Sequence, residues 1–173
     1  MQYHKLLFAL ALLGFSLVAV APSSAAAQQG QPLNLPCVTG VSVLPLGQAM
    51  PDDASGQALV MARLEIAPHG GFQAHTHPGT LVVTIESGTF ELTQLGDMEM
   101  SVNRAAANGT PAASEPMEKG ASLTLNPGDW FAEPKGMVHE ASNPGTEPTV
   151  VLLTGLVDPN QPLVQCVGGT PAS

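Results

Sequence analysis

Apolar and polar residues alternate over short distances along most of the chain. In "GTLVVTIESG", Leu81, Val83 and Ile85 would share one face of an extended chain, and the residues between them would share the other face. A period of two predicts a β-strand with one buried face. Between residues 38 and 157 no run of ten or more residues has a clean helical period. The pattern therefore predicts an all-β fold.

The predicted strands are short and are bounded by turn sequences such as "PHGG", "HPG", "NPGD" and "PKG". Strands of this length and spacing predict a sandwich or a barrel. One segment differs, because residues 103–120 are rich in Ala, Gly, Ser and Pro and offer little to bury. We predict that this segment is a surface loop. The predicted strands are 41–44, 58–66, 71–77, 81–86, 89–95, 99–102, 121–125, 129–132, 138–141 and 149–157.

The N-terminus has the pattern of a cleavable secretory signal. Lys5 precedes an apolar run over residues 6–21, and the small residues of "SSAAAQQ" follow it. The run is shorter than the roughly 20 residues that a membrane span needs. We therefore expect a secreted or periplasmic protein. The predicted organisation is a signal peptide at 1–27, an N-terminal tail with the first strand at 28–57, the main domain at 58–157 and a C-terminal tail at 158–173.

The charge of the chain argues against one class of partner. Its formal net charge is −9, and cleavage of the signal would remove Lys5 and make it more negative. Binding of nucleic acid or of an anionic membrane surface needs a basic stripe. We therefore predict no nucleic-acid partner and no membrane partner after cleavage. A small molecule remains the expected partner.

The two cysteines, Cys37 and Cys166, lie near opposite ends of the predicted mature chain. In an oxidising compartment such a pair predicts a disulfide. The bond would join the two tails and, from chain entropy, would contribute about 4 to 5 kcal/mol. Their spacing alone leaves two free thiols or a metal-binding pair as alternatives.

The histidines are the residues with the clearest chemistry. His75 and His77 stand two apart in "QAHTHPG", so on a strand both side chains leave the same face. A third imidazole, His139, could join them from a distant part of the chain. Neutral imidazole is the commonest protein ligand for transition metals, although a metal-free hydrogen-bonded cluster is the alternative. His69 lies in the "PHGG" turn and is predicted to be an exposed loop residue.

The segment "GDWFAEPKGMVHEASN", residues 128–143, resembles the second sequence motif of the cupin family, G-x5-P-x-G-x2-H-x3-N. Every fixed position of the motif is matched. The matching residues are Gly128, Pro134, Gly136, His139 and Asn143.

The first cupin motif, G-x5-H-x-H-x3-4-E-x6-G, is matched less completely. His75, His77 and Gly88 occupy its positions, but Leu81 stands where the family has glutamate. The resemblance covers roughly residues 58–157. It implies a cupin double-stranded β-helix, which is a jelly-roll barrel. It also implies a divalent transition metal (Fe, Mn, Ni, Cu or Zn) in the barrel mouth, with His75, His77 and His139 as ligands. Since cupins often form dimers, the resemblance also makes a homodimer an expected assembly.

Three other carboxylates are candidates to replace the missing glutamate. If Leu81 faces inward, the period of two turns Glu86 outward. Glu140 directly follows His139 and should face away from the site. Glu133 precedes the "PKG" turn, where alternation does not predict which way a side chain faces. It is therefore the candidate with the weakest argument against it.

Three functions are compatible with these residues. The first is a secreted metal-binding cupin with an unknown small-molecule ligand. The second is a metal-dependent oxidoreductase of the dioxygenase type, acting on a small apolar or aromatic substrate. The third is a metal-free cupin with a binding or structural role. We assign no catalytic residue, because the inward positions near the site, Leu81, Val83 and Ile85, include no acid or base.

Overall fold

The computed structural model describes residues 30–106, 108 and 111–168, and the predicted signal peptide lies outside these residues. In the described part all the regular elements are strands, which confirms the all-β prediction. This part also contains no helix with the length and apolar character needed to cross a membrane. The strands are β1 Gln31–Pro32, β2 Val38–Ala49, β3 Ala58–Thr76, β4 Gly79–Ser87, β5 Phe90–Gln94, β6 Met100–Ala105, β7 Pro111–Met117, β8 Ser122–Leu125, β9 Trp130–Glu133, β10 His139–Ser142, β11 Thr149–Val157 and β12 Gln165–Cys166.

The strands form one antiparallel sheet that curls into a nearly closed barrel, as predicted. The main order is β7-β6-β9-β4-β11-β3-β10-β5-β8. Strand β3 pairs with β2, β10, β11 and β12, so it contacts both tails of the chain as well as the barrel. On the other side of β11, β4 pairs with β9. The two candidate ligand segments, in β3 and at the start of β10, are therefore adjacent strands.

Strand β3 is longer than predicted. The two strands predicted on either side of "PHGG" are parts of one 19-residue strand. The four residues form a bulge instead of a reversing turn, with His69 in the left-handed region at φ 60°. The N–H of His69 donates to the carbonyl of Asn143 at 3.0 Å, and the N–H of Asn143 donates to the carbonyl of Gly70 at 2.9 Å. Asn143 thus satisfies the backbone hydrogen bonds of the bulge. This long-range contact determines that the four residues form a bulge and not a turn.

The prediction of a surface loop at residues 103–120 is wrong for most of its length. Strands β6 and β7 pair as an antiparallel hairpin, with Met100 opposite Met117. Strand β7 lies at the edge of the sheet, where proline is tolerated and one row of backbone hydrogen bonds holds the strand. The low apolar content of this segment did not predict the hairpin, because an edge strand needs few apolar side chains.

The alternation of side chains along β4 and β9 follows the predicted pattern. Leu81, Val83 and Ile85 are all buried in the barrel. Phe131 is fully buried, whereas Trp130, its neighbour on β9, is half-buried on the other face.

The predicted disulfide between Cys37 and Cys166 is present. Strand β12, which contains Cys166, pairs with the end of β3, where Cys166 lies opposite His75. The bond therefore holds both tails of the chain against the strand that carries His75 and leads to His77.

Candidate metal centre

The turn between β9 and β10 is tied to the end of β3. The N–H of Met137 donates to the carbonyl of Pro134 at 3.1 Å, which closes the turn, and Gly136 has the left-handed φ of 76° that favours glycine. The N–H of Gly136 also donates to the carbonyl of His77 at 3.1 Å. The turn thus places His139, the first residue of β10, beside the histidines of β3.

Asn143 holds the other end of β10. Its side chain is buried, and Nδ2 donates to the carbonyls of Ile66 and Glu147 at 3.0 and 2.8 Å. Its Oδ1 accepts from the N–H of Gly145 at 2.9 Å. Both ends of β10 are therefore fixed by residues that the second motif contains.

The three predicted histidines come together inside the barrel. His139 lies opposite His75 in the pairing of β10 with β3, and His77 is two residues beyond His75. All three side chains are buried. One ring nitrogen from each lies within 4.8 Å of the corresponding atoms of the other two. The structure therefore brings the predicted ligand set into the geometry of a possible metal site.

Backbone carbonyls determine which nitrogen of each ring carries the proton. A carbonyl oxygen can only accept a hydrogen bond, so each Nδ1 that contacts one must donate. In the neutral ring the lone pair then belongs to Nε2, and this is how metal-binding histidines are usually oriented. The Nδ1-to-carbonyl pairs are His75 with Gln73 at 2.9 Å, His77 with Leu163 at 2.6 Å and His139 with Met137 at 3.2 Å.

Glu133 supplies a carboxylate to the same cluster. It lies opposite Leu81 in the pairing of β9 with β4, and it is buried. Its Oε1 is 3.0 Å from Nε2 of His139, and its Oε2 is 3.2 Å from Nε2 of His77. The second contact lacks hydrogen-bond geometry, so Oε2 is buried without a hydrogen-bond partner. A carboxylate that is missing at position 81 is thus present on the adjacent strand.

These four side chains fit a divalent cation. One ring nitrogen of each histidine converges on the others, and the Glu133 carboxylate lies beside two of the rings with its Oε2 lacking a hydrogen-bond partner. Acceptors in such contact repel unless a proton or a cation lies between them. Imidazole and carboxylate are together the usual ligands of Zn, Fe and Mn.

The protonation states also suit metal ligands. Burial and the neighbouring imidazoles of His139 and His77 lower the pKa of His75 to about 3, and burial lowers the pKa of His77. Burial acts to lower the pKa of His139, but the Glu133 carboxylate raises it overall. Burial acts to raise the pKa of Glu133, but the imidazoles, His139 first, lower it. These shifts favour neutral rings at His75 and His77, an ionised carboxylate at Glu133 and a proton on His139 that a metal would displace.

A cavity of about 280 Å³ adjoins the cluster. Its polar lining comes from the three histidines and Glu133, and the other lining residues are apolar. Leu81 and Val83, which the alternation along β4 predicted to face inward, line this cavity.

The other candidate residues lie away from the cluster, as predicted. His69 is exposed on the bulge of β3. Glu86 is exposed and pairs with Arg63 at 2.6 Å. Glu140 lies on the face of β10 opposite to His139. Glu133 was the one carboxylate that alternation could not place, and its position depends on the strand pairing that sets it opposite Leu81.

Comparison with known proteins identifies a family for the chain. The family model described as "Cupin" matches residues 51–167, which is more than half of the chain. Germin-like protein 12-2 of Oryza sativa subsp. japonica is 33% identical over 101 residues, which are 58% of this chain and 38% of that protein. Putative germin-like protein 12-4 of the same organism is 29% identical over 104 residues, which are 60% and 39% of the two chains. The chain therefore spans about two fifths of the length of these curated relatives.

Solved structures with a similar fold have low sequence identity to this chain. A cupin-like protein from Thermotoga maritima has a TM-score of 0.47 and 14% identity, with 82% of this chain and 87% of that chain covered. An oxalate decarboxylase from Bacillus subtilis, which has Mn(II) centres, has a TM-score of 0.46 and 17% identity, with 79% and 30% covered.

Proposed function

Because the chain belongs to the cupin family, we propose that it binds one divalent transition metal inside the barrel through His75, His77 and His139. The observation that carries this proposal is the convergence of one ring nitrogen from each of three histidines, in all of which Nδ1 contacts a backbone carbonyl and leaves Nε2 free to bind a metal. Without a metal, a proton shared by His139 and Glu133 has to offset the repulsion between these acceptors. The metal remains one of Fe, Mn, Ni, Cu or Zn, since imidazole accepts all of them.

Glu133 is the fourth ligand in this proposal. Its unpartnered Oε2 lies beside His77, and its Oε1 lies beside His139. The resemblance places the family's glutamate at the position of Leu81 on β4. Here the carboxylate would come from the residue directly opposite on β9. The site would thus keep a negatively charged carboxylate ligand, but β9 would supply it instead of β4.

A second candidate function is oxidation of a small apolar or aromatic substrate, and the apolar cavity favours it. A transition metal with an open position supplies Lewis acidity or redox chemistry where it is bound. The chain would contribute oriented ligands and apolar walls that exclude water. Oxygen uptake by the metal-loaded protein across phenols, thiols and flavonoids distinguishes an enzyme from a binding protein. Uptake that requires His139 would establish the enzyme, and its absence across the panel would leave the binding role.

Elemental analysis of the purified protein tests the metal site. We expect about one transition metal per chain in the wild type and a large loss in His139→Ala. His69→Ala is the matched control, because His69 is exposed on β3 and should leave the metal content unchanged. Less than about a tenth of a metal per chain in the wild type, after incubation with Mn²⁺, Fe²⁺ and Zn²⁺, would contradict the proposal and favour a metal-free cupin.

We also propose that the protein functions in an oxidising compartment, as a secreted or periplasmic protein. The disulfide between Cys37 and Cys166 supports this, because such bonds persist mainly outside the reducing cytoplasm. Fractionation of producing cells tests it. Recovery of the protein only from the cytoplasm, with both thiols free, would contradict it.

A further inference from the structure

The cavity beside the cluster has one polar end and otherwise apolar walls. Its polar groups are the three histidines and Glu133, all of them members of the proposed metal site. The walls are formed by side chains of several strands, such as Leu64, Phe72, Val83 and Leu153. Neither lysine nor arginine is among the described residues that line it. A bound molecule could therefore meet polar partners only at the metal end.

The tails of the chain complete these walls. Leu33 and Leu35 from the N-terminal tail and Leu163 and Val164 from the C-terminal tail line the cavity, and the disulfide joins the two tails nearby. The backbone of the C-terminal tail also reaches the polar end, where the Leu163 carbonyl accepts from Nδ1 of His77. The C-terminal tail therefore both lines the cavity and orients His77.

The volume of the cavity limits the size of the occupant. An apolar cavity of about 150 Å³ is large enough for benzene. The cavity here, at about 280 Å³, is nearly twice that size. It would accommodate a body of roughly nine to ten carbon atoms, such as an aromatic ring with a short side chain.

Charge limits the head group. A divalent metal with Glu133 as its one anionic ligand carries a net charge of +1, and no other ionised side chain among the described residues lines the cavity. A charge in apolar surroundings is costly unless it is paired, so one further anion would neutralise the site. A dianion such as oxalate would overcompensate the charge and leave the apolar walls uncovered. A sugar would place hydroxyl groups against walls that offer them no hydrogen bonds.

We propose that the cavity binds a small apolar monoanion, with a carboxylate or phenolate head at the metal and a hydrocarbon body of about one ring and a short chain against the apolar walls. This inference rests on the proposed metal site. It adds the class of ligand, which the metal ligands alone do not determine.

Calorimetric titration of the full chain loaded with Zn²⁺ tests the inference with three probes. Cinnamate has the proposed size and charge, cinnamyl alcohol has the same body without the charge, and oxalate has charge without an apolar body. We expect cinnamate to bind at least about tenfold more tightly than either of the others. We also expect this preference for cinnamate to disappear when the metal is removed.

Substitutions on β4 test ligand binding in the cavity independently of metal binding. Val83→Phe fills the cavity and should abolish cinnamate binding while the zinc content stays at about one per chain. If Val83→Phe does not fold, Val83→Leu is the alternative, because it adds less volume. It should weaken cinnamate binding by about tenfold. Val82→Phe is the matched control, because Val82 faces away from the cavity and should change neither property.

The possible failures can be told apart. If zinc is bound but oxalate or cinnamyl alcohol binds as tightly as cinnamate, the ligand class is wrong and the metal site stands. If cinnamate binds equally well without metal, or if Val83→Phe leaves its binding intact, the ligand class is also wrong. If no metal is retained, the proposed function fails and this inference fails with it.

Discussion

Two buried carboxylates lie four residues apart in the second motif, and their surroundings differ completely. Asp129 precedes β9, and every oxygen it presents is used. Its Oδ1 accepts from the N–H of Ala105 at 3.0 Å, and its Oδ2 accepts from Arg104 at 2.8 Å and from the N–H of Asn126 at 3.0 Å. Glu133 ends β9 among three imidazoles, and its Oε2 has no hydrogen-bond partner.

The comparison shows how a structural carboxylate differs from a candidate ligand. Asp129 is surrounded by donors, including a guanidinium that is also paired with Glu115, so it stabilises the connection between β8 and β9. Glu133 is surrounded by nitrogen atoms whose neutral form accepts rather than donates. A buried group in that position is costly in the empty protein and becomes favourable when a cation is present. Both side chains are shielded from solvent, and the difference lies in Oε2 of Glu133, which has no hydrogen-bond partner.

The largest expected effect comes from adding a second carboxylate opposite Glu133. Leu81→Glu places two buried negative charges on paired positions of β4 and β9. In the absence of metal we expect the free energy of unfolding to fall by about 3 to 5 kcal/mol, as for an uncompensated buried charge. Urea denaturation measures this change.

Moving the carboxylate back to β4 provides the control for that variant. Leu81→Glu combined with Glu133→Leu should recover most of the lost stability and should bind metal, whereas Glu133→Leu alone should bind it poorly. A double variant that binds no metal would show that the two positions are not equivalent.

The next effect concerns the ligand role of Glu133. Glu133→Gln keeps the shape of the side chain and removes its charge. We expect metal affinity to fall by about a hundredfold, measured by competition with a chromophoric chelator. Asp129→Asn is the matched control four residues away and should leave metal affinity unchanged. Equal affinity in wild type and Glu133→Gln would remove Glu133 from the site.

Asp129→Asn should instead lower stability, by about 2 kcal/mol at neutral pH, because Arg104 loses a charged partner. Burial acts to raise the pKa of Asp129, but the N–H groups of Asn126 and Ala105 and the Arg104 guanidinium hold it below its ordinary value. A lowered pKa stabilises the folded state above the unfolded value of about 3.9 and ceases to do so as the pH falls through the folded pKa. Urea denaturation of both proteins should therefore show a difference at neutral pH that shrinks in acid. A constant difference would contradict the role assigned to the ionised carboxylate.

The smallest effect is expected at an exposed carboxylate. Glu86 pairs with Arg63 on the outside of the barrel, where solvent screens the interaction. Glu86→Gln should leave metal content and the midpoint of thermal unfolding unchanged within error. A clear loss of metal in this variant would mean that charge anywhere on β4, rather than a carboxylate inside the barrel, controls the site.

Much of the fold could be predicted from local patterns. The period of two along β4 correctly placed Leu81 and Val83 inside and Glu86 outside, because alternation is a property of the extended chain itself. One exception was the long β3, where the same glycine-rich residues can form a turn or a bulge. The contact of His69 with Asn143, far along the chain, decided between them.

The sequence by itself determined the kind of fold and the three histidines, because strand periodicity and motif spacing are written in neighbouring residues. It also determined that position 81 could not be a ligand. Only the tertiary structure decided that Glu133 lies opposite it and beside the histidines, since residues 81 and 133 become neighbours through the pairing of β4 with β9. The structure also decided that the cavity has one polar end, because strands and both tails contribute its walls. The physical reason is that ligand geometry and cavity shape depend on side chains from distant segments, and no local pattern specifies which of them will meet.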